Sequence, residues 1–326
     1  MNKRDKDPDA KDSVKDSKFR LTNTFTFSNT TKNSPFNNSP KNISEFTVFP
    51  DLLFGISSTF TTPLLINKKK VRHQSAKPLD LIVEIAEFIT NLLQEYKTNN
   101  IRLDQAAFNS KCRDSLEQLK IKIERLKCVN LDRLKETKEK YTFWVNAFNY
   151  LIIYALIYTA FMPKDFEEWK QMLKNCQFNI GGYELSLLEI ETGILKCYNY
   201  LEDDTLIGND FCIGKFGITE QNILINFALC FPIKSDIFDL KIYTATNFEE
   251  QLYQTTKTFL AKNLNFNSEE KSIKISSYIE MIRPDILNIS FVLYQNYLSE
   301  ELFTTLSTQE VAKVERVEVF WAINTN

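Results

Sequence analysis

Two asparagines three residues apart, Asn146 and Asn149, sit inside an otherwise apolar stretch that runs from Tyr141 to Phe161. A primary amide donates and accepts at once, so the pair could orient a ligand or tie a buried helix to neighbouring backbone. Left without partners, either amide would be costly there. Cys230, at the end of the apolar run Asn222 to Cys230, is a candidate nucleophile. Glu191 could serve it as a desolvated base and Asn226 as an auxiliary. The chain has one histidine, His73. An imidazole is the usual group that exchanges protons near neutral pH, and thiol activation commonly depends on one. Without such a neighbour, Cys230 reads first as a buried core thiol and Glu191 as a favourable charge near a helix N-terminus. The two asparagines read first as ties to loop backbone.

The remaining chemistry is sparse. Six cysteines, at 112, 128, 176, 197, 212 and 230, lie 15 or more residues apart. They form no C-x-x-C pair, so no zinc knuckle or thioredoxin-like motif is present, and reduced thiols are expected. Gly208, Gly214 and Gly217 lack the register of a phosphate-cradling loop. Asp203, Asp204 and Asp210 fit no calcium-loop spacing and read as an acidic surface turn. Neither a metal nor a cofactor is expected.

The elements that must hold these residues follow from periodicity. Ile82, Ile85, Ile89, Leu92 and Tyr96 share one face of a first helix, and Leu116, Leu119, Ile123 and Leu126 share one face of a second. The asparagine-bearing segment is a third, apolar nearly all round and therefore central. It approaches membrane-spanning length, but its two asparagines and its amphipathic surroundings favour a buried helix. After Pro163 the pattern changes. Phe178 to Leu185, with Gly181-Gly182 at its middle, reads as a hairpin. Ser186-Leu-Leu-Glu189 is a capping box opening a helix, and Thr246-Asn-Phe-Glu249 is a second one. Asn222 to Cys230 reads as a buried strand, as does Ser272 to Ser276, followed by a helix to Ile282. Val317, Val319 and Trp321 alternate on a last strand. The expected fold class is α+β: a helical N-terminal half followed by a small sheet interleaved with helices, a single globular domain over 77–326.

Residues 1–76 are rich in Asn, Ser, Thr and Lys and are expected to form a disordered polar leader. An apolar island at 46–66 reads as a strap across the domain, or else as a docking peptide. Lys68, Lys69, Lys70 and Arg72 form a short basic run. Residues 1–75 hold 13 Lys and Arg against 7 Asp and Glu, while the remainder holds 27 against 35. An acidic body behind a basic tail argues against nucleic acid as a partner. It allows weak contact between leader and acidic lipid. The N-terminus lacks the apolar core of a secretory signal, so a cytoplasmic protein without an integral membrane span is expected.

In register, these landmarks resemble the family catalogued as domain of unknown function 547. Phe143-Trp-Val-Asn-Ala-Phe-Asn-Tyr-Leu151 resembles its Phe-Trp-Ile-Asn-x-Tyr-Asn-Ala-Leu helix. Ser186-Leu-Leu-Glu-Ile-Glu-Thr-Gly-Ile-Leu-Lys196 follows a Gly-Gly hairpin as the family's Ser-Leu-x-x-Ile-Glu-His segment does. Asn226-Phe-Ala-Leu-Cys230 and Tyr243-Thr-Ala245 are similar to a His-Phe-Ala-Leu strand and a Tyr-Thr-Ala turn. Weaker likenesses at 92–108, Ile275 to Asp285 and Phe320 to Asn324 extend the resemblance over about 80–324. Where the family carries histidines, this chain has Tyr154, Thr192 and Asn226. The resemblance with these replacements implies a non-catalytic protein-interaction or scaffold domain, a pseudoenzyme candidate. The alternative is a thiol-dependent hydrolase or acyl transferase using Cys230 with Glu191 and Asn226. The expected partner is another protein, met through the 46–66 island or a groove beside Asn146, Asn149 and Glu191.

Overall fold

The structure is a computed structural model that describes residues 62–68, 75–98, 105–159, 165–196, 214–220, 222–230, 240–267, 272–276 and 313–317, with a few single positions besides. The chain divides into Met1–Glu45 and Phe46–Asn326, and every described residue belongs to the second unit.

Helix α1 (Pro78–Thr98) opens on a proline, whose missing N–H costs nothing in a first turn, with Asp80 beside it. Its stripe of Leu81, Ile82, Ile85, Ala86, Ile89 and Leu92 is buried. α2 (Gln105–Glu124) buries Leu116, Leu119 and Ile123. The Glu84 carboxylate of α1 accepts from Lys122 of α2 and, at 3.0 and 3.2 Å, from Arg125 just beyond it. That half-exposed cluster holds Glu84 below the usual carboxylate range: the two cations outweigh the partial burial that opposes them. Two short 3₁₀ turns, Arg125–Cys128 and Leu131–Arg133, lead to α3 (Thr137–Thr159). Every residue of α3 from Tyr141 to Leu156 is buried, so it is the axis of the core, and α1 runs along it.

A helix that the sequence reading passed over, α4 (Phe166–Asn175), follows. Its signal is plain in retrospect. Asp165 caps it by accepting from Glu168 N at 2.8 Å, and Trp169, Met172 and Leu173 form its buried face. The hairpin of β2 (Cys176–Ile180) and β3 (Tyr183–Ser186) turns at Gly181 and Gly182, with φ of 62° and 93°. Such values at both central positions suit the twist of a two-residue hairpin turn. A Cβ on Gly181 would also come within 3.0 Å of Leu131 Cγ.

β1 (Leu64–Leu65) lies parallel to β2, giving a mixed sheet of order β1-β2-β3. This strand sits inside the segment assigned to a disordered leader, and Ala76 also bridges to Val129. The ordered fold therefore takes in residues upstream of 77, because the edge of β2 offers backbone groups for the chain to pair with. The rest of the island at 46–61, His73, Lys69, Lys70 and Arg72 lie outside the described residues.

After β3 comes α5 (Glu189–Leu195), wound as a π-helix, then the short α6 (Ile225–Ala228) and α7 (Phe248–Asn263). The expected strand over Asn222 to Cys230 is not formed. Asn222 Oδ1 accepts from Leu224 N at 3.0 Å and its carbonyl accepts from Ile225 N at 3.1 Å, which bends the run into a turn and α6. Apolar runs this short do not distinguish strand from helix by pattern. A second mixed sheet, β4 (Leu264–Asn267), β5 (Ser272–Ser276) and β6 (Lys313–Val317), pairs antiparallel and then parallel. β4 was not read from the sequence, and the last strand begins earlier than its alternation suggested. Val319, Trp321 and the helix expected to Ile282 lie outside the described residues, as do Asp203, Asp204 and Asp210. The fold is α+β, helices first and small mixed sheets among helices after.

Candidate functional site

Helix α3 presents Asn146 and Asn149 from neighbouring turns, at 0% and 1% exposure. Asn146 Nδ2 donates to the Tyr243 carbonyl at 2.8 Å, and its Oδ1 accepts from Tyr243 N–H at 3.0 Å. Asn149 Nδ2 donates to the Ala228 carbonyl at 2.9 Å, and its Oδ1 accepts from Cys230 N–H at 2.7 Å. Each side-chain amide thus satisfies one backbone donor and one backbone acceptor: both groups of Tyr243 for Asn146, and for Asn149 the carbonyl of Ala228 at the end of α6 with the N–H of Cys230. Two loops far along the chain are held to the central helix in this way.

The loops carry side chains toward the next turn of α3. Tyr150, buried there, shares a hydrogen bond with Thr90 Oγ1 of α1 at 3.3 Å. Burial drives its phenol far above the ordinary value; the Thr90 bond pulls the other way, and the nearby Cys230 and Tyr243 add to the rise. Tyr243 donates to Thr255 Oγ1 of α7 at 3.1 Å, and burial pushes its phenol up to about 12. Its ring packs on Phe248, which stacks on Tyr141 with centroids 5.5 Å apart. Cys230 is 3% exposed at the edge of this group. The assembly is a buried set of phenols and hydroxyls that stays protonated at neutral pH.

Glu191 belongs to a different neighbourhood. The capping box forms as read: Ser186 N–H and Oγ both donate to Glu189 Oε2 at 2.7 Å, and Glu189 N–H donates to Ser186 Oγ at 3.1 Å. Just beyond it Glu191 makes an ion pair with Lys196, both nearly excluded from solvent. Lys196 N–H donates to the Glu191 carbonyl at 3.1 Å, closing the five-residue step of the π-turn. Thr192 Oγ1 donates to the Leu188 carbonyl at 2.5 Å. Asn226 Nδ2 donates to the Ile223 carbonyl at 3.0 Å within its own turn, while its Oδ1 is buried without a partner.

The second expected capping box is not made. α7 is entered through Asn247, whose side chain makes no cap bond. Gln251 instead reaches back from the first turn, accepting from Thr244 N–H at 2.8 Å and donating to the Ile242 carbonyl at 2.9 Å. A depression of about 480 Å³ opens there, lined by Lys138, Thr246, Asn247, Glu249, Glu250 and Tyr253 among others. None of Asn146, Asn149, Glu191, Asn226 or Cys230 lines it. Among the described residues no three His, Cys, Asp or Glu side chains gather as a metal site would require. No helix among them is long and apolar enough to cross a membrane.

Sequence reasoning named the two asparagines, but it missed Tyr150, Lys196 and Gln251. Tyr150 follows Asn149 directly and Lys196 lies five residues after Glu191, so spacing alone could have raised them; Gln251 carries no signal without the fold.

Residues 131–260 match the family model described as "Protein of unknown function, DUF547". Over that span the chain resembles the DUF547 family. No curated protein and no solved structure matches it. The DUF547-like span contains the asparagine helix, the hairpin, the capping box with Glu191, α6 with Cys230 and the Tyr243 turn. The likenesses at 92–108, 275–285 and 320–324 fall outside it. Within the span, Tyr154 is buried against Phe178 and Tyr158, and burial raises its phenol well beyond the usual range.

Proposed function

We propose that this DUF547-like domain is a non-catalytic protein-interaction or scaffold module of the cytoplasm. One observation carries the reading. The polar side chains at motif positions, Asn146, Asn149, Glu191 and Thr192, all spend their hydrogen bonds on the protein itself. Tyr154 and Asn226 stand where the family has histidines, and neither exchanges a proton near neutral pH. Cys230 joins this network through its backbone, whose N–H donates to Asn149 Oδ1.

The experiment is to treat the full-length protein with ester and thiol-reactive probes and follow turnover, with Cys230→Ala beside it. The module reading predicts no turnover that depends on Cys230. Catalytic release of product that disappears in Cys230→Ala establishes the thiol-dependent hydrolase or acyl transferase instead. Proximity labelling in the native cell, with and without residues 46–61, then identifies the partner and tests the island as its contact. Liposome co-sedimentation of chains with and without residues 1–75 tests the leader's affinity for acidic lipid, and equal partitioning of the two rules it out.

A further inference from the structure

The segment 62–68 is fastened to the edge of β2 by a small and unusual set of bonds. Only two residues pair as a strand, Leu64 with Cys176 and Leu65 with Gln177, and both are only half-buried. Ile66 N–H adds a bond to the Gln177 carbonyl at 2.9 Å. Asn67, 1% exposed, then replaces the next rung with its side chain. Its Oδ1 accepts from Asn179 N–H at 2.7 Å. Its Nδ2 donates to the Asn179 carbonyl at 3.0 Å and to the Ile123 carbonyl at 3.1 Å. If the segment leaves, β2 becomes an edge strand with the Gln177 carbonyl and both backbone groups of Asn179 unpaired. Such an edge is a template for another extended chain.

We propose that 62–68 is an exchangeable latch, and that the occupant able to replace it is the same segment of a second copy of this chain. The edge selects for an extended run of apolar residues ending in an asparagine, because the Asn67 amide must meet Asn179 and Ile123 together. Leu64-Leu-Ile-Asn67 of a second copy meets that requirement by identity, and exchange makes and breaks the same bonds. Seven residues separate Lys68 from Ala76, which is held to Val129. Extended chain of that length spans up to about 24 Å, which sets how near a neighbouring copy must lie for the exchange. Whether the domain has catalytic activity has no bearing on this exchange.

The register supplies the test. Leu64→Cys places a thiol opposite Cys176 in the parallel pair. Full-length variant chains, half of them labelled with heavy nitrogen, are mixed at high concentration, unfolded, refolded together and oxidised. Peptide mapping then scores disulfides between position 64 and Cys176. Exchange predicts that about half of these linkages join a heavy to a light chain, and that they run as covalent dimers. Linkages only within chains of one label, running as monomers, overturn the proposal. If the variant fails to refold or to cross-link, light scattering on refolded wild-type chain decides. A dimer that returns to monomer slowly on dilution supports exchange, and monomer at every concentration overturns it.

Discussion

Asn149 and Cys230 meet through the backbone: the amide of one accepts the N–H of the other at 2.7 Å while holding the Ala228 carbonyl at 2.9 Å. The residue most readily suspected of nucleophilic chemistry is positioned by a contact that leaves its sulfur out of the bond. Asn149→Ala strands a buried donor and a buried acceptor. It is expected to destabilise the fold by about 2–4 kcal/mol in urea unfolding. Asn146→Ala, which strands both backbone groups of Tyr243, should cost a similar amount. A loss below about 0.5 kcal/mol for either would remove the clamp as a source of stability.

The two capping sequences should respond differently. Ser186→Ala removes a cap that both donates to and accepts from Glu189, and is expected to cost about 1–2 kcal/mol. Thr246→Ala at the entrance to α7 touches no cap bond and should stay within about 0.5 kcal/mol of wild type. Equal losses at the two sites would refute the difference in capping.

Alkaline unfolding should report the buried phenols. The Tyr243 phenol rises from 10.0 in the unfolded chain to about 12 in the fold because burial disfavours its anion. Below pH 10 both states keep the proton and stability is complete. Between 10 and 12 only the unfolded chain ionises, so stability falls, by about 1.4 kcal/mol per pH unit from this residue. Tyr150 shifts in the same direction and adds to the slope. Urea midpoints measured across that window should fall steeply, and Tyr243→Phe should flatten part of the decline. An unchanged slope in Tyr243→Phe would refute the assignment.

Glu191 and Lys196 are expected to behave as a buried pair. Glu191→Gln alone leaves the Lys196 ammonium without its carboxylate in a nearly dry site, and should cost about 3 kcal/mol. Adding Lys196→Met should recover much of that loss, because the double variant has no charge to bury. Additive losses in the thermal midpoints of the two single variants and the double would show that the pair is not coupled.

Thiol labelling separates the cysteines by burial. Among the described cysteines Cys128, on a half-exposed turn, should react before Cys176 and Cys230 in the native protein. Cys176 is enclosed on β2 and its thiol is pushed up to about 12 by burial, so its labelling should track global unfolding. Native-state labelling of Cys176 at the rate of Cys128 would contradict its burial.

The sequence by itself determined the local elements and their order. Apolar periodicity marked α1, α2 and α3, paired glycines marked the hairpin, and Ser186 with Glu189 marked a capped start, because each depends on residues a few positions apart. The four residues of α6, the strand β4 and the uncapped start of α7 escaped, since short runs suit strand and helix alike and the local side-chain bonds of Asn222 and Gln251 leave no periodicity. The same holds for the site. That Asn146 and Asn149 needed partners was legible from their setting. That those partners are the backbones of Tyr243, Ala228 and Cys230, 79 to 97 residues away, was decided only by the tertiary structure. A side-chain amide announces one donor and one acceptor wherever it stands, but packing alone chooses which unpaired backbone it completes.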